Sequence, residues 1–237
     1  MSWLTAWLDR VLYPGYGSNW DDNLFRERVL DRLTGGSVVL DLGAGAGIVP
    51  QMNFRGHAKH VVGVDLDERV LENPYLDEGC VADVGDIPFA KESFDLVFAD
   101  NVMEHLDQPS DVFREVARVL KPGGMLLFKT PNRIHYMPMI ARLTPHSFHR
   151  AINRVRGRDG DDTFPTRYYA NSMKQVRRLA LDTGFKVERI DRVEGRPEYL
   201  RGTVPSYLAG AGYERIVNAT ELFAPLRILL IAELRKN

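Results

Sequence analysis

The run Val38-Val39-Leu40-Asp41-Leu42-Gly43-Ala44-Gly45-Ala46-Gly47 constrains this chain more than any other stretch. Residues 37–42 are a short apolar run closed by glycines, the pattern of a buried strand. The alternating glycines and alanines that follow remove side chains where a ligand could lie against backbone. Open parallel sheets bind ligands at the carboxyl ends of their strands. A second apolar run, residues 60–65, ends in Asp65, 18 residues beyond Gly47. A carboxylate there can accept both hydroxyls of a ribose, so the pair predicts a nucleoside-binding turn. A dinucleotide fingerprint would need Gly or Ala where Ile48 stands, and a sound helix to receive the pyrophosphate. Pro50 spoils that helix, and Asp41 puts negative charge beside the turn, which suits a cation better than a pyrophosphate.

Around this turn, helix and strand signals alternate. Residues 21–33 read as a helix stopped by Gly35-Gly36. Further strands are expected at 80–83, 94–100 and 125–130. Residues 110–120 read as a helix capped by Ser110 and stopped by Lys121-Pro122-Gly123-Gly124. After Thr130 the rhythm breaks over residues 131–166, which hold Pro131, Pro138, Pro145 and Pro165. It resumes with a helix near 171–183, a strand at 185–193, a mixed segment and a last strand at 227–234. This predicts an α/β fold, a Rossmann-like sheet of seven mostly parallel strands flanked by helices, with a cap insertion after the fifth strand. The corresponding domain division is N-terminal helices and a lid over 1–34, then one domain over 35–237 that contains the cap at about 131–166.

Composition bounds the rest. A chain of 237 residues with 44% hydrophobic and 27% charged residues can bury a full core, so wholesale disorder is excluded. The net charge of −1 argues against a globally basic nucleic-acid binder. Cys80 is the only cysteine, so it forms no internal disulfide; a small buried filler in a reducing, cytoplasmic setting is expected. No run approaches the ~18 apolar residues of a membrane span. Trp3, Leu4, Trp7, Leu8, Val11 and Leu12 recur at helical spacing. They read as a helix packed on the body or, alternatively, as a lid or a weak membrane-surface contact; Asp9 and Arg10 on the polar face weaken the membrane version.

VVLDLGAGAG followed by VVGVDLD resembles the class I S-adenosylmethionine-dependent methyltransferases. So do VADVGDIPFAKESFDLVFADNVMEHL, REVARVLKPGGMLLFKTPN and the closing RILLIAEL. D-x-P-F followed by S-F-D, and R-V-L-K-P-G-G, are similar to the subgroup (methyltransferase type 11-like) that acts on small molecules, lipids and activated sugars. The resemblance implies S-adenosyl-L-methionine as cofactor. It places Asp41 near the amino-acid end and Gly43, Ala44 and Gly45 beneath it. Asp65 falls on the ribose, Leu66 on adenine, Asp83 on the adenine amino group with Asp86 as its rival, and Val84 on the ring. Asp100 and Asn101 fall beside the sulfonium. Some relatives bind a divalent cation through E-x-x-E-H; here Asn101 replaces the first acid before Glu104-His105, so no metal is expected.

Methyl transfer from a sulfonium needs positioning, and an oxygen or nitrogen acceptor also needs a base. His105, five residues past the fourth strand, is one candidate; His135, Tyr136 and His146 in the cap are others, with His149, Tyr168 and Tyr169 as further possibilities. Residues 132–158 contain six arginines and no acid. This is either a solvated basic face or a surface for a phosphate-bearing acceptor, such as an activated sugar or lipid-linked metabolite. The expected activity is methyl transfer to a small molecule, most naturally to a hydroxyl, with N- or C-methylation and a non-catalytic cofactor-binding scaffold as alternatives. The cap and the N-terminal helix are expected to close over the cofactor and choose the acceptor.

Overall fold

The computed structural model describes residues 3–17, 19–143 and 165–237. Its centre is a seven-stranded sheet of order β3-β2-β1-β4-β5-β7-β6. The strands are β1 (Val38–Leu42), β2 (His60–Asp65), β3 (Glu78–Val81), β4 (Phe94–Asp100), β5 (Leu120–Pro131), β6 (Phe185–Val193) and β7 (Leu229–Lys236). β2 pairs in parallel with β1 and β3, and β4 with β1 and β5. The two ends of β7 give its direction. Asn132 N–H, just past β5, donates to Ile228 O, and Lys236 Nζ donates to Leu120 O. Asn237 N–H donates to Gly184 O, just before β6. β7 therefore runs antiparallel to both neighbours, and the rest of the sheet is parallel, as the alternation of signals predicts.

The sheet core is built from strand residues that alternate between two covered faces. Leu40, Leu42, Val62, Val64, Val97, Leu126, Phe128, Leu230 and Ala232 are all buried. α3 (Pro109–Val119) buries Val112, Phe113, Val116 and Val119, one helical face. Phe113 meets the edges of Phe128 and Phe185. α5 (Met173–Asp182), capped by Ser172, adds Val176, Leu179 and Ala180. α2 (Trp20–Leu30) buries Phe25 and Val29. Arg32, just past its end, donates to the buried Glu233 carboxylate at 2.6 Å. Each fully buried Phe or Leu contributes on the order of 1.5–3 kcal/mol. Cys80 is only partly buried against this core rather than enclosed by it.

Three local expectations change. Pro109, not Ser110, begins α3, and Gln108 takes the cap position without a side-chain bond; proline suits the first helical position because its missing N–H has no partner there. Lys121-Pro122-Gly123-Gly124 is not a loop after the helix but the first part of β5, with a register shift between Phe94 and Leu96. A Cβ on Gly124 would lie 2.9 Å from Lys121 O, which is why the kink takes glycine. The mixed segment contains α6 (Val204–Asn218), capped by Thr203 and Ser206. Its buried face is Tyr207, Gly210, Ala211, Glu214 and Val217. Small and polar residues on the inward side hide its period from a hydrophobicity reading.

Contacts divide the chain into two units. One comprises Met1–Trp20, Pro131–Pro165 and Arg192–Leu229; the other comprises Asp21–Thr130, Thr166–Asp191 and Leu230–Asn237. The first unit holds α1 (Trp3–Leu12), α4 (Tyr136–Leu143) and α6. Its small core is Tyr13, Tyr207 and Ala211 with Leu8 and Leu12 against them. The expected apolar stripe of α1 is split by this packing. Thr5 is buried and Leu8 and Leu12 half-buried, whereas Trp3, Leu4, Trp7 and Val11 are exposed.

Candidate functional site

At the carboxyl end of β1 the chain turns on three glycines with positive φ: Gly43 at 79°, Gly45 at 50° and Gly47 at 69°. Gly43 and Ala44 both donate backbone N–H to Val64 O on β2, at 2.8 and 3.1 Å. Gly45 N–H donates to Asp65 Oδ2 at 2.8 Å, and Asp65 Oδ1 accepts from Asp67 N–H at 2.9 Å. A carboxylate oxygen has two lone pairs, so Asp65 keeps acceptor capacity on both oxygens beyond these bonds. A Cβ on Gly43 would lie 2.5 Å from Val102, and one on Gly47 2.2 Å from Asn73 Oδ1. Asn73 is the clamp on this turn: its Nδ2 donates to Ala44 O and Gly45 O, at 3.0 and 3.1 Å.

The same strand ends gather carboxylates. Asp41 on β1 is buried, and desolvation, then Asp100, then Asp65 hold its carboxyl well above the usual range. Burial pushes Asp100, the last residue of β4, up to about 6, against the pull of Lys129. Lys129 lies opposite it on β5, fully buried, with Nζ 3.0 Å from Asp100 Oδ1 and 3.1 Å from Asp21 Oδ2, and bonded to Asp22. Despite its burial, these three acids raise the Lys129 pKa above its ordinary value. Asp83, past the end of β3, is exposed and accepts from Gly85 N–H at 2.7 Å. Asp86 is also exposed, whereas Val84 packs partly into the core; Leu66 is exposed.

After β4, Asn101 takes φ +55° and donates its Nδ2 to Asp100 Oδ1 at 2.9 Å. Glu104 turns inward: Thr130 Oγ1 donates to it at 2.9 Å and receives Asn171 Nδ2. Burial pushes the Glu104 carboxyl up to about 7. His105 is half-buried, with Nε2 4.0 Å from Glu104 Oε1. Among the described residues no group of three His, Cys, Asp or Glu is placed to hold a metal ion.

Glycine turn, Asp41, Asp65, Asp83, Asp100, Asn101 and His105 thus all lie in the sheet unit. His135 and Tyr136 belong to the other. His135 is buried; its Nδ1 accepts from Met137 N–H, its Nε2 lies 3.5 Å from Glu194 Oε2, and burial pushes it down to about 3. It stays neutral and enclosed, with Tyr136 and Tyr213 packed on it. His146 and His149, and most of the arginine run, lie outside the described residues. Asn73, Lys129, Asp21, Asp22 and Thr130 were not foreseen. Lysine inside the apolar run Met125-Leu126-Leu127-Phe128-Lys129 is the one signal that could have pointed to them.

A parallel sheet whose first strand runs into a glycine turn, faced by the acid that ends the second, is the arrangement in which open α/β sheets bind ligands at the carboxyl ends of their strands. Residues 40–128 match the family model of a methyltransferase domain. The ubiquinone biosynthesis O-methyltransferase of Neisseria meningitidis serogroup A is 34% identical over 109 residues, which cover 41% of this chain and 45% of that protein. The chain spans about half the length of the curated relatives it matches. Among solved structures, the [4+2]-cyclase SpnF superposes with a TM-score of 0.58 at 20% identity over 90% of this chain and 80% of its own. Geranyl diphosphate C-methyltransferase from Streptomyces coelicolor, solved with S-adenosyl-L-homocysteine, does so with 0.56 at 18% identity over 92% and 79%. Over residues 40–128 the chain thus resembles a methyltransferase domain, and a relative from Mycolicibacterium smegmatis, 35% identical over 50% of this chain and 47% of its own length, is described as a probable S-adenosylmethionine-dependent methyltransferase. The residues present fit S-adenosylmethionine: a turn of glycines and alanines with little side chain to obstruct the backbone, a ribose-competent carboxylate, and acidic groups on the neighbouring strand ends that favour a cation.

Proposed function

We propose that this protein transfers a methyl group from S-adenosylmethionine to a hydroxyl of a small molecule. The observation that carries the reading is the turn itself: Gly45 N–H bonded to Asp65 at 2.8 Å, with Asp41 and Asp100 on the neighbouring strand ends. In this reading Asp65 takes the ribose hydroxyls, Leu66 and Val84 flank adenine, and Asp83 accepts from its amino group. Gly43, Ala44 and Gly45 pass under the amino-acid end. Asp41, Asp100 and Asn101 provide the negative and polar surroundings that favour a cation. The cofactor supplies a methyl group already activated on sulfur, so the protein's task is to orient the acceptor and remove its proton. His105 is the candidate base of the sheet unit, because it is half-exposed and next to the buried Glu104 carboxyl. Oxygen as acceptor draws support from the curated relative, which is an O-methyltransferase.

The fold alone does not fix the chemistry, since SpnF is a cyclase. The test is direct. Calorimetric titration should show binding of S-adenosylmethionine and S-adenosylhomocysteine and none of NAD. Incubation of methyl-labelled cofactor with a metabolite extract should then label a small-molecule product. Tight cofactor binding with no transfer to any extract would leave a non-catalytic scaffold as the function.

A further inference from the structure

α1 is packed with its apolar side outward. At 100° per residue, Trp3, Trp7, Val11 and Leu4 share one face, with Arg10 two turns along from Trp3. That face is open: Trp3 is 75% and Trp7 49% exposed. The opposite face, Thr5, Leu8, Asp9 and Leu12, is turned inward. Asp9, which on sequence grounds counts against a membrane-facing helix, is part of the inward anchor. Its Oδ1 accepts from Tyr207 at 2.6 Å, and its Oδ2 pairs with Arg201 and lies 3.6 Å from Arg196. Rolling the helix over to hide the tryptophans would strip the buried guanidinium of Arg196 of a counter-charge. The exposed stripe is therefore held in place by the fold.

We propose that the outward face of α1 docks on an anionic lipid surface. Charge selects this occupant. Among the described residues, the unit that contains α1 has eight arginines and no lysine against five carboxylates, whereas the sheet unit has nineteen basic against twenty-four acidic residues. Tryptophan rings sit at the headgroup level of bilayers, and an amphipathic helix with a basic border lies in that plane. Leu222 and Ile216 of the same unit are likewise exposed. Two copies meeting through this unit would bring like net charges together, which disfavours a second chain as the occupant. No helix of the described residues is long and apolar enough to cross a membrane, so the contact is with the surface. This inference is independent of the proposed methyl transfer.

The experiment is vesicle flotation of the full chain with phosphatidylglycerol–phosphatidylcholine and with phosphatidylcholine alone. Two of the three tryptophans lie on the docking face, so emission should shift to the blue on anionic vesicles. The double substitution Trp3→Ser/Trp7→Ser should lower the partition at least tenfold and abolish the shift, with melting temperature and cofactor affinity unchanged. Arg10→Glu and added salt should each weaken binding several-fold. Absence of binding to anionic vesicles, equal binding to neutral ones, or a double variant that binds like the parent would each overturn the proposal. So would a dimer that the double variant dissociates in the absence of vesicle binding.

Discussion

Lys129 Nζ lies 3.0 Å from Asp100 Oδ1, and the two residues are register partners on β5 and β4. The ammonium is fully buried and also meets Asp21 and Asp22 at the start of α2. One cation thus fixes a helix start to the strand ends that carry the candidate site. Lys129→Met would leave three carboxylates without it, two of them well screened from water. Breaking a buried pair typically costs roughly 3–5 kcal/mol. Urea denaturation should show a loss of this size, and a loss under about 1 kcal/mol would mean that water already screens the cluster.

Asp65→Ala should weaken S-adenosylmethionine binding about ten- to a hundredfold, the usual worth of hydrogen bonds to a buried ligand. The side chain also holds Gly45 and Asp67. Asp65→Asn therefore serves as the companion: it keeps an acceptor for one of these bonds and should lose less affinity. Unchanged affinity in both variants by calorimetry would remove Asp65 from the cofactor site.

Most of the sheet was legible because its signals are local: β2 and β4 fall on the residues that their apolar runs mark, and β6 on residues 185–193, where apolar and charged residues are mixed. α6 was not, since Gly210 faces Pro197 and Leu200 so closely that a Cβ would come within 2.6 Å, and Glu214 is inward because Tyr13 and Asn218 bond to it. Such positions become interpretable only once the distant partner is known. The same holds for the site. Gly43 and Asp65 could be read from spacing, but Asn73 acts through a contact spanning 29 residues, and Lys129 looks like a misplaced surface lysine until Asp21 and Asp22 are set beside it.

Gly47→Ala tests the clamp. At φ +69° an alanine is strained, and its Cβ would collide with the Asn73 side chain that holds Ala44 and Gly45. The combined cost should be roughly 1–3 kcal/mol of stability. Cofactor affinity should fall with it, because the displaced amide no longer fixes the cradle. Gly56→Ala has a positive φ but no neighbour within 4 Å, so it isolates the backbone strain. Thermal melts of the pair should differ, with Gly47→Ala lower and Gly56→Ala retaining cofactor affinity.

Glu104 makes stability depend on pH in a direction opposite to ordinary acid denaturation. Its folded carboxyl is pushed from 4.5 up to about 7 by burial, with the Thr130 hydroxyl and Lys129 pulling the other way. Between these two values the folded protein binds more protons at this position than the unfolded chain does. The contribution is complete below pH 4.5 and is lost as pH rises through 7, which amounts to roughly 3 kcal/mol at most. Asp100, raised to about 6, and Glu194, raised to about 8, act with the same sign. The melting temperature should therefore fall from pH 5 to pH 8. Glu104→Gln cannot ionise and still offers Thr130 an oxygen, so it should flatten that fall between pH 5 and 7 without loss of stability at pH 8. A pH–stability curve identical to that of the parent would show that Glu104 is as ionisable in the folded chain as in the unfolded one.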